Sequence, residues 1–222
     1  VHVPAAADIA QVGADLLFGD PPSFTIPEAH GETPNPVAQA TEERLLELID
    51  LDGWSSTLLE GAEIAGALGG VYLRPLFDPT IADHPILTVV HPDRAVPVFS
   101  HGRLVEVTFW REWKGESGKV WRHLECHTPG MVGHGLYLGT VETIGARQPL
   151  SAREETAGLV TDVTKPFDGG TIPLRDGETP VFLVRYVPNA LPNRRHRTQP
   201  LGRADTAGAE HLLAALDETW TS

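Results

Sequence analysis

The chain has 222 residues, a hydrophobic content of 41% and a formal net charge of -13, so it can bury a core in one sizeable domain or two small ones. Its single cysteine, Cys126, excludes an internal disulfide framework and a multi-cysteine zinc site, and no apolar run is long enough to span a bilayer. Because so negative a surface repels phosphate backbones, tight nonspecific nucleic-acid binding is disfavoured.

The first third of the chain is predicted to be helical. Apolar residues near helical spacing predict a first helix from Ala5 to Phe18, and Thr41 is predicted to cap a second. A third helix is predicted from about Ser55 to Leu68. Small residues cluster along one side of it, and they indicate that a sheet approaches this side closely. The small residues are Gly61, Ala62, Ala65 and Gly69.

From Val71 onward the pattern changes to strands joined by hairpin turns. The clearest strand runs from Arg103 to Trp113, where apolar and polar residues alternate as in a sheet with one wet face. The other strand predictions are 71–74, 86–91, 94–99, 120–127, 135–141 and 181–187. Helices, then hairpins, then a helix predict an α+β fold with a mainly antiparallel sheet.

A terminal helix is predicted to begin at Asp205, an effective N-cap residue, and to continue to Ser222. No stop signal follows it, so we expect the chain to be cut from a longer one. Its apolar face is expected to pack on the sheet of the same chain. That face comprises Ala209, Leu212, Leu213, Leu216 and Trp220.

The most enzyme-like feature is the alternation of His123, Glu125 and His127 on one strand. Alternate residues share a face, so these side chains could bind a metal ion with His134 of the returning strand as a fourth ligand. The alternative function that they indicate is that of a metal-dependent, β-rich enzyme. The alternative is that they form the wet side of a hairpin whose buried side holds Leu124 and Cys126. On that apolar side a thiol is expected to be inert packing.

The only concentrated positive charge follows the last strand, at Arg194, Arg195 and Arg197, with Arg203 nearby. These side chains could contact phosphate or pair with acidic groups of another subunit, and the acidic character of the chain favours the subunit contact. Trp110 lies on the strand face opposite Phe109 and is predicted to cover the core or to anchor an interface.

Six stretches of the sequence, taken in order, resemble a portal protein of tailed bacteriophages, of the type carried by phages and prophages of actinobacteria. The stretches are ADLLFGDPPSF (14–24), GALGGVYLRPLFD (66–78), HPILTVVHPDRAVPVF (84–99), VTFWREW (107–113), WRHLECHTPGMVGHGLYLGT (121–140) and YVPNALPNRRHRTQPLGRADTAG (186–208). It is their shared order, covering nearly the whole chain, that carries the resemblance.

The resemblance implies a structural protein and not an enzyme, with no cofactor. Portal subunits form a ring, dodecameric when assembled, at one vertex of the capsid in the virion, after assembly in the host cytoplasm. Double-stranded DNA passes through the channel without sequence-specific binding, terminase docks on the ring, and head-tail connector and capsid or scaffold proteins contact it. No membrane is involved.

The resemblance also implies a domain organisation. Residues 1–222 would form a single α+β module of the portal wing, and the channel-lining stem would lie beyond it. Within the module, 1–53 is the helical N-terminal part, 54–187 is a helix plus antiparallel sheet, and 188–222 is the basic loop and the helix leading toward the stem.

Overall fold

The structure is a computed structural model that describes residues 4–30, 33, 35–51, 53–78, 81–195, 197, 198 and 200–221. Its fold is α+β, as the sequence predicts: N-terminal helices, antiparallel sheets and a short C-terminal helix. Two compact units are present, one formed by 1–91 with 185–222 and the other by 92–184. We call them the first and the second unit. The sequence-based ranges 1–53, 54–187 and 188–222 remain a prediction.

The described helices are α1 (Ala5–Phe18), α2 (Pro36–Leu51), α3 (Trp54–Leu68), α4 (Glu154–Ala157) and α5 (Glu210–Thr221). The described strands are β1 (Gly70–Leu76), β2 (Ile86–Val90), β3 (Ala95–Ser100), β4 (Arg103–Lys114), β5 (Val120–Thr128), β6 (Met131–Gly139), β7 (Ala146–Gln148), β8 (Thr171–Pro173), β9 (Arg175–Asp176), β10 (Thr179–Pro180) and β11 (Arg185–Pro188). None of the helices in the described part of the chain is long and apolar enough to cross a membrane.

Helix α2 begins at Pro36, five residues before the predicted cap. Oδ1 of Asn35 accepts from the amide of Val37 at 2.9 Å, so Asn35 is the capping residue and Pro36 occupies the first helical position. The hydroxyl of Thr41 instead donates to the carbonyl of Val37 at 2.7 Å inside the helix. The prediction of a Thr41 cap was therefore wrong, because Asn-Pro is the stronger start signal.

Helix α1 packs on α3 through its smallest residues. Ala10 and Ala14 are buried, and a Cβ placed on Gly66 of α3 would lie 3.5 Å from Cα of Ala10. On the other side of α3, a Cβ on Gly61 would lie 3.2 Å from the Val89 side chain of the sheet. The predicted close approach of a sheet is confirmed at Gly61, and a second close approach, by α1, occurs at Gly66.

The sheet of the first unit has the order β11-β1-β2 and is antiparallel throughout. Tyr72 of β1 is almost fully buried, and its ring lies 4.9 Å from that of its cross-strand partner Tyr186. Ile64 and Ala65 of α3 close the core against Val71. Strand β11 is shorter than the predicted 181–187 strand because only its last part pairs with β1.

Asp205 does not cap the terminal helix. Its amide donates to the carbonyl of Gly66 at 2.8 Å, and its Oδ1 accepts from Nδ2 of Asn189 at 2.8 Å. A carbonyl in the last turn of a helix has no partner within the helix, so Asp205 satisfies one of the free acceptors of α3. The segment after β11 is thereby attached to the end of α3, and the prediction of an Asp205 cap was wrong.

The terminal helix α5 begins at Glu210, whose Oε2 accepts from the amide of Gly208 at 2.8 Å. Three residues of the predicted core-facing side are exposed: Leu212 by 61%, Leu216 by 39% and Trp220 by 68%. The expectation that this face packs on the sheet of the same chain was therefore wrong. Ser222 lies outside the described residues.

The carboxylate of Glu42 attaches the segment before α2 to that helix. Oε2 accepts from the amide of Ile26 at 2.5 Å, and Oε1 accepts from Nε2 of His30 at 2.7 Å. The bond from the Ile26 amide, followed by that from His30, lowers the pKa of Glu42 below its ordinary value.

We expect Glu42→Gln to weaken the dependence of the free energy of unfolding on pH in the acidic range. Because the folded-state pKa lies below the unfolded one, the carboxylate stabilises the fold fully above the unfolded-state value, and this contribution is lost as the pH falls through the folded-state pKa. Urea unfolding at a series of acidic pH values measures the change. The exposed variant Glu43→Gln is the control, and equal profiles for the two variants would contradict the assignment.

In the second unit, strands β3 to β7 form an antiparallel meander, and β8 pairs with the part of β6 that β7 leaves free. The register pairs Phe109 with Glu125 and Val107 with His127 across β4 and β5. Directly paired residues project on the same face of a sheet. Since Val107 and Phe109 are buried, the face that carries Glu125 and His127 is the inner face of this sheet.

Arg122, on the other face of β5, holds the loop after β6. Its Nε donates to Glu112 at 2.6 Å, and its Nη1 donates to the carbonyls of Thr140 and Thr143 at 2.8 and 2.6 Å. A guanidinium can make these bonds at once because its donors are fixed in a plane.

We expect Arg122→Lys to destabilise the second unit by about 1–2 kcal/mol, because an ammonium cannot reproduce the planar arrangement of donors. Amide hydrogen exchange at Thr143 should accelerate. The exposed Arg103→Lys is the matched control, and unchanged exchange at Thr143 in the Arg122 variant would refute the role.

Candidate functional site

Strands β5 and β6 bring together all four residues of the predicted metal site. His123, Glu125 and His127 alternate along β5, and His134 lies directly opposite Glu125 on β6. All four are buried, with His123 exposed by only 2%. The prediction that they share one face is confirmed.

The alternative of a wet face is wrong. Leu124 and Cys126, which that alternative places on the buried side, are only half-buried, whereas His123, Glu125 and His127 are buried. The apolar pattern within β5 alone favours the opposite assignment, but the register with Val107 and Phe109 determines which face is inside. Tertiary pairing thus overrides the local pattern in this strand.

Within the buried group the side chains form two hydrogen-bonded pairs. Nε2 of His127 donates to Oε1 of Glu125 at 2.6 Å. Nε2 of His123 and Nδ1 of His134 lie 3.2 Å apart, and the two rings are stacked with centroids 5.3 Å apart. Nδ1 of His127 is buried and has no hydrogen-bonding partner in the described part of the chain.

Aromatic rings surround these pairs. The Phe109 ring meets that of His127 edge-on at 5.5 Å, and the Trp113 ring lies 6.5 Å from that of His123. Beyond His123, the guanidinium of Arg153 lies over both Trp113 and Trp121, at 5.1 and 5.6 Å from the ring centres. The two polar pairs are thus surrounded by rings, as in a protein core, and the Arg153 side chain covers the aromatic residues at the His123 end.

The four side chains are arranged as hydrogen-bonded pairs. Among the described residues, no group of three or more His, Cys, Asp or Glu side chains is placed to hold a metal ion. In the Glu125–His127 pair, atoms that could act as ligands are engaged with each other. The four residues therefore form a buried polar network within the sheet.

Cys126 is half-buried, and its surroundings on balance disfavour the thiolate. Burial raises the pKa of its thiol above the ordinary value, although a hydrogen bond with Thr108 lowers this pKa. Its Sγ lies 3.7 Å from Oε1 of Glu106, a negative neighbour that also disfavours the thiolate.

No family model and no curated protein matches the chain.

The predicted interface arginines are exposed and make local contacts. Nη2 of Arg195 donates to Oε1 of Glu210 at 3.2 Å, which places this guanidinium at the start of α5. Nε of Arg197 donates to the carbonyl of Arg194 at 3.3 Å, and Arg203 is exposed further along. An exposed Arg–Glu pair of this type adds little stability, so these side chains are available to a partner.

Trp110, the remaining predicted interface residue, is half-buried in β4. The guanidinium of Arg94 lies over its ring, 4.5 Å from the centre. Of its two predicted roles, this contact favours that of covering its own sheet, because a cation already occupies one face of the ring.

The exposed face of α1 is a candidate surface that was not predicted from the sequence. Ile9, Val12 and Leu16, at i, i+3 and i+7, are exposed by 47%, 55% and 83%. A signal was present in Ala10, Gly13 and Ala14, since small residues on one side of a helix permit the closest packing and leave the larger ones outside. We call Ile9, Val12 and Leu16 the α1 stripe, and Leu212, Leu216 and Trp220 the α5 stripe.

Proposed function

We propose that the chain is a structural subunit of the portal ring of a tailed bacteriophage. In this role it helps to form the conduit for DNA packaging and ejection at the capsid vertex, with terminase and the head-tail connector attached to the ring. DNA passes through the channel without sequence-specific contacts. The ordered resemblance described above supports this type of assembly.

The observation that carries the proposal is the exposure of the α1 and α5 stripes on an acidic protein. Three large apolar side chains in helical register on each of two exposed faces would be unusual in a protein without partners, because contiguous apolar surface marks contact sites. A ring subunit requires two such surfaces, since each copy has two neighbours.

The buried histidine network and the charge are consistent with this role. In the described residues the polar groups with enzyme-like chemistry are paired with each other in the core of the second unit. A net charge of -13 also suits a protein beside a conduit, because DNA slides past a negative surface without adhering to it.

Light scattering of the protein expressed from its complete gene tests the proposal. We expect a concentration-dependent increase in mass toward a closed oligomer. A strict monomer under all assembly conditions would refute it. The isolated 222 residues serve as a comparison that reports on these residues alone.

A further inference from the structure

The contact between His123 of β5 and His134 of β6 joins two titratable groups of the same kind in the core of the second unit. Their facing nitrogens, Nε2 of His123 and Nδ1 of His134, are 3.2 Å apart, and both residues are buried. A contact of this length has room for one hydrogen atom, so one nitrogen donates and the other accepts through its lone pair. The hydrogen bond therefore requires that one of the two facing nitrogens stays unprotonated.

The histidine pair can carry one added proton but not two. A first proton can bind a nitrogen that faces away from the contact and leave the shared hydrogen in place. With a second proton both facing nitrogens carry a hydrogen, and the bond is lost. Two like charges would then stand side by side in a buried position, which like-charge repulsion and burial both disfavour.

Charged and titratable side chains from several elements face the pair. They are Glu125 and His127 of β5, Arg111 of β4, Arg147 of β7, Glu155 of α4 and Arg153 just before α4. Nη2 of Arg147 donates to the carbonyl of His134 at 3.2 Å, and the three guanidiniums oppose added positive charge. Glu125, opposite His134, favours a first charge, so the second charge is the one that the surroundings exclude.

His134 also holds the segment that covers the end of β6. Its amide donates to the carbonyl of Gly170 at 2.6 Å, and β8 pairs with Met131, Val132 and Gly133 directly before it. A movement of the His134 ring and backbone would therefore loosen Gly170 and β8 together. The histidine pair is thus connected to a short edge strand that has few other contacts within the sheet.

We propose that the His123–His134 pair is a pH-sensitive switch of the second unit, in which the shared hydrogen keeps β8 on β6 and protonation of both rings releases it. This inference concerns the second unit alone and does not rest on the proposed ring. It assigns a role to two buried histidines that the proposed function does not use.

The switch opens as the pH falls. Histidines of an opened segment take up a proton near pH 6.5, about the ordinary value. Below this value the open form binds more protons than the closed form, so the equilibrium constant for opening should rise up to about tenfold for each pH unit. Above it the rings are neutral in both forms, and the full contribution of the pair to stability is present.

Amide hydrogen exchange of the protein from its complete gene, followed by mass spectrometry from about pH 7.5 to about pH 5, tests the switch. The rates are corrected for the intrinsic dependence of exchange on pH. We expect the protection of β6 and of residues 170–173 to fall by up to about tenfold per pH unit below about pH 6.5.

Two variants replace the rings by amides that do not titrate. His134→Asn places an amide near the position of Nδ1, and His123→Gln places one near the position of Nε2, so each can keep a hydrogen bond across the contact. At neutral pH both should retain the protection of the unaltered protein, whereas the loss of protection in acid should disappear. His101→Asn is the matched control, because His101 is exposed between β3 and β4 and Asn tolerates its φ of 48°.

The control variant should show the full acid response. If His134→Asn and His123→Gln respond to acid as strongly as the unaltered protein, the pair is not the switch. Unchanged protection of residues 170–173 in the unaltered protein at about pH 5 would overturn the proposal as well. So would a loss of this protection in both amide variants at neutral pH, because the hydrogen bond that they preserve would then not be what holds β8.

Discussion

Replacing Gly202 by alanine should destabilise the first unit by roughly 2–4 kcal/mol. A Cβ at this position would overlap with the carbonyl oxygen of Gly69 and with the backbone nitrogen and oxygen of Asn189. These atoms cannot move independently, because the amide of Asn189 donates to Gly69 at 3.0 Å and its carbonyl accepts from the amide of Arg203 at 2.9 Å.

The effect should be largest where the segment after β11 meets the start of β1. There the hydroxyl of Tyr186 accepts from the amide of Gly202 at 3.1 Å and donates to the carbonyl of Gly69 at 3.3 Å. Amide exchange in β1 and β11 should accelerate together with the loss of stability. Because this segment leads to the basic residues and to α5, the substitution should also weaken self-association.

Gly158→Ala is the matched control. Gly158 has φ -67 and ψ -12, and a Cβ placed on it meets no heavy atom within 4 Å. Its free energy of unfolding should change by no more than about 0.5 kcal/mol. Equal stability of the two variants in thermal and urea unfolding would contradict the close approach of the Gly69 and Asn189 backbone atoms to Gly202.

Substituting only one member of the buried Glu125–His127 pair should also have a large effect. With Glu125→Leu, Nε2 of His127 loses its acceptor in the core while Nδ1 is already unsatisfied. Breaking a buried pair in this way costs about 3–5 kcal/mol, whereas replacing both members by apolar residues can be nearly neutral. We expect Glu125→Leu, His127→Leu to be more stable than either single variant.

Glu116→Leu is the control for the loss of a carboxylate, since Glu116 is exposed between β4 and β5. A double-mutant cycle separates the interaction energy of the pair from the contributions of the individual side chains. Additive losses from the two single substitutions would contradict the pairing.

A separate experiment tests the metal hypothesis made from the sequence. Elemental analysis of protein purified without a His tag, compared with His123→Ala, His127→Ala protein, reports on any bound metal. On the geometry of the two pairs we expect no stoichiometric metal. A metal that is present in the unaltered protein and absent from the variant would support the enzymatic alternative.

Much of the fold could be predicted because local signals and tertiary pairing agree. The alternation from Arg103 to Trp113 identifies both the strand and its inner face, and Val107 and Phe109 are indeed buried. Gly69 ends α3 in the left-handed conformation that a glycine adopts at little cost. The predicted strand at 103–113 therefore matches β4 to within one residue.

The errors arose where a residue type has two structural uses. Asp205 has the chemistry of a helix cap, but its partners, Gly66 and Asn189, are distant in sequence and hence invisible to a local pattern. His123 and His127 are polar residues that favour the outside, yet the register with β4 places them inside. Periodicity finds the apolar side of a helix but not whether that side faces the core, as the α1 and α5 stripes illustrate.

Negative-stain electron microscopy of the protein from its complete gene tests the central claim most directly. We predict closed rings with a central channel, each built from copies of this chain, and we expect Leu16→Arg and Leu216→Glu to abolish them. Particles that remain single subunits at every concentration and under every assembly condition would contradict the account.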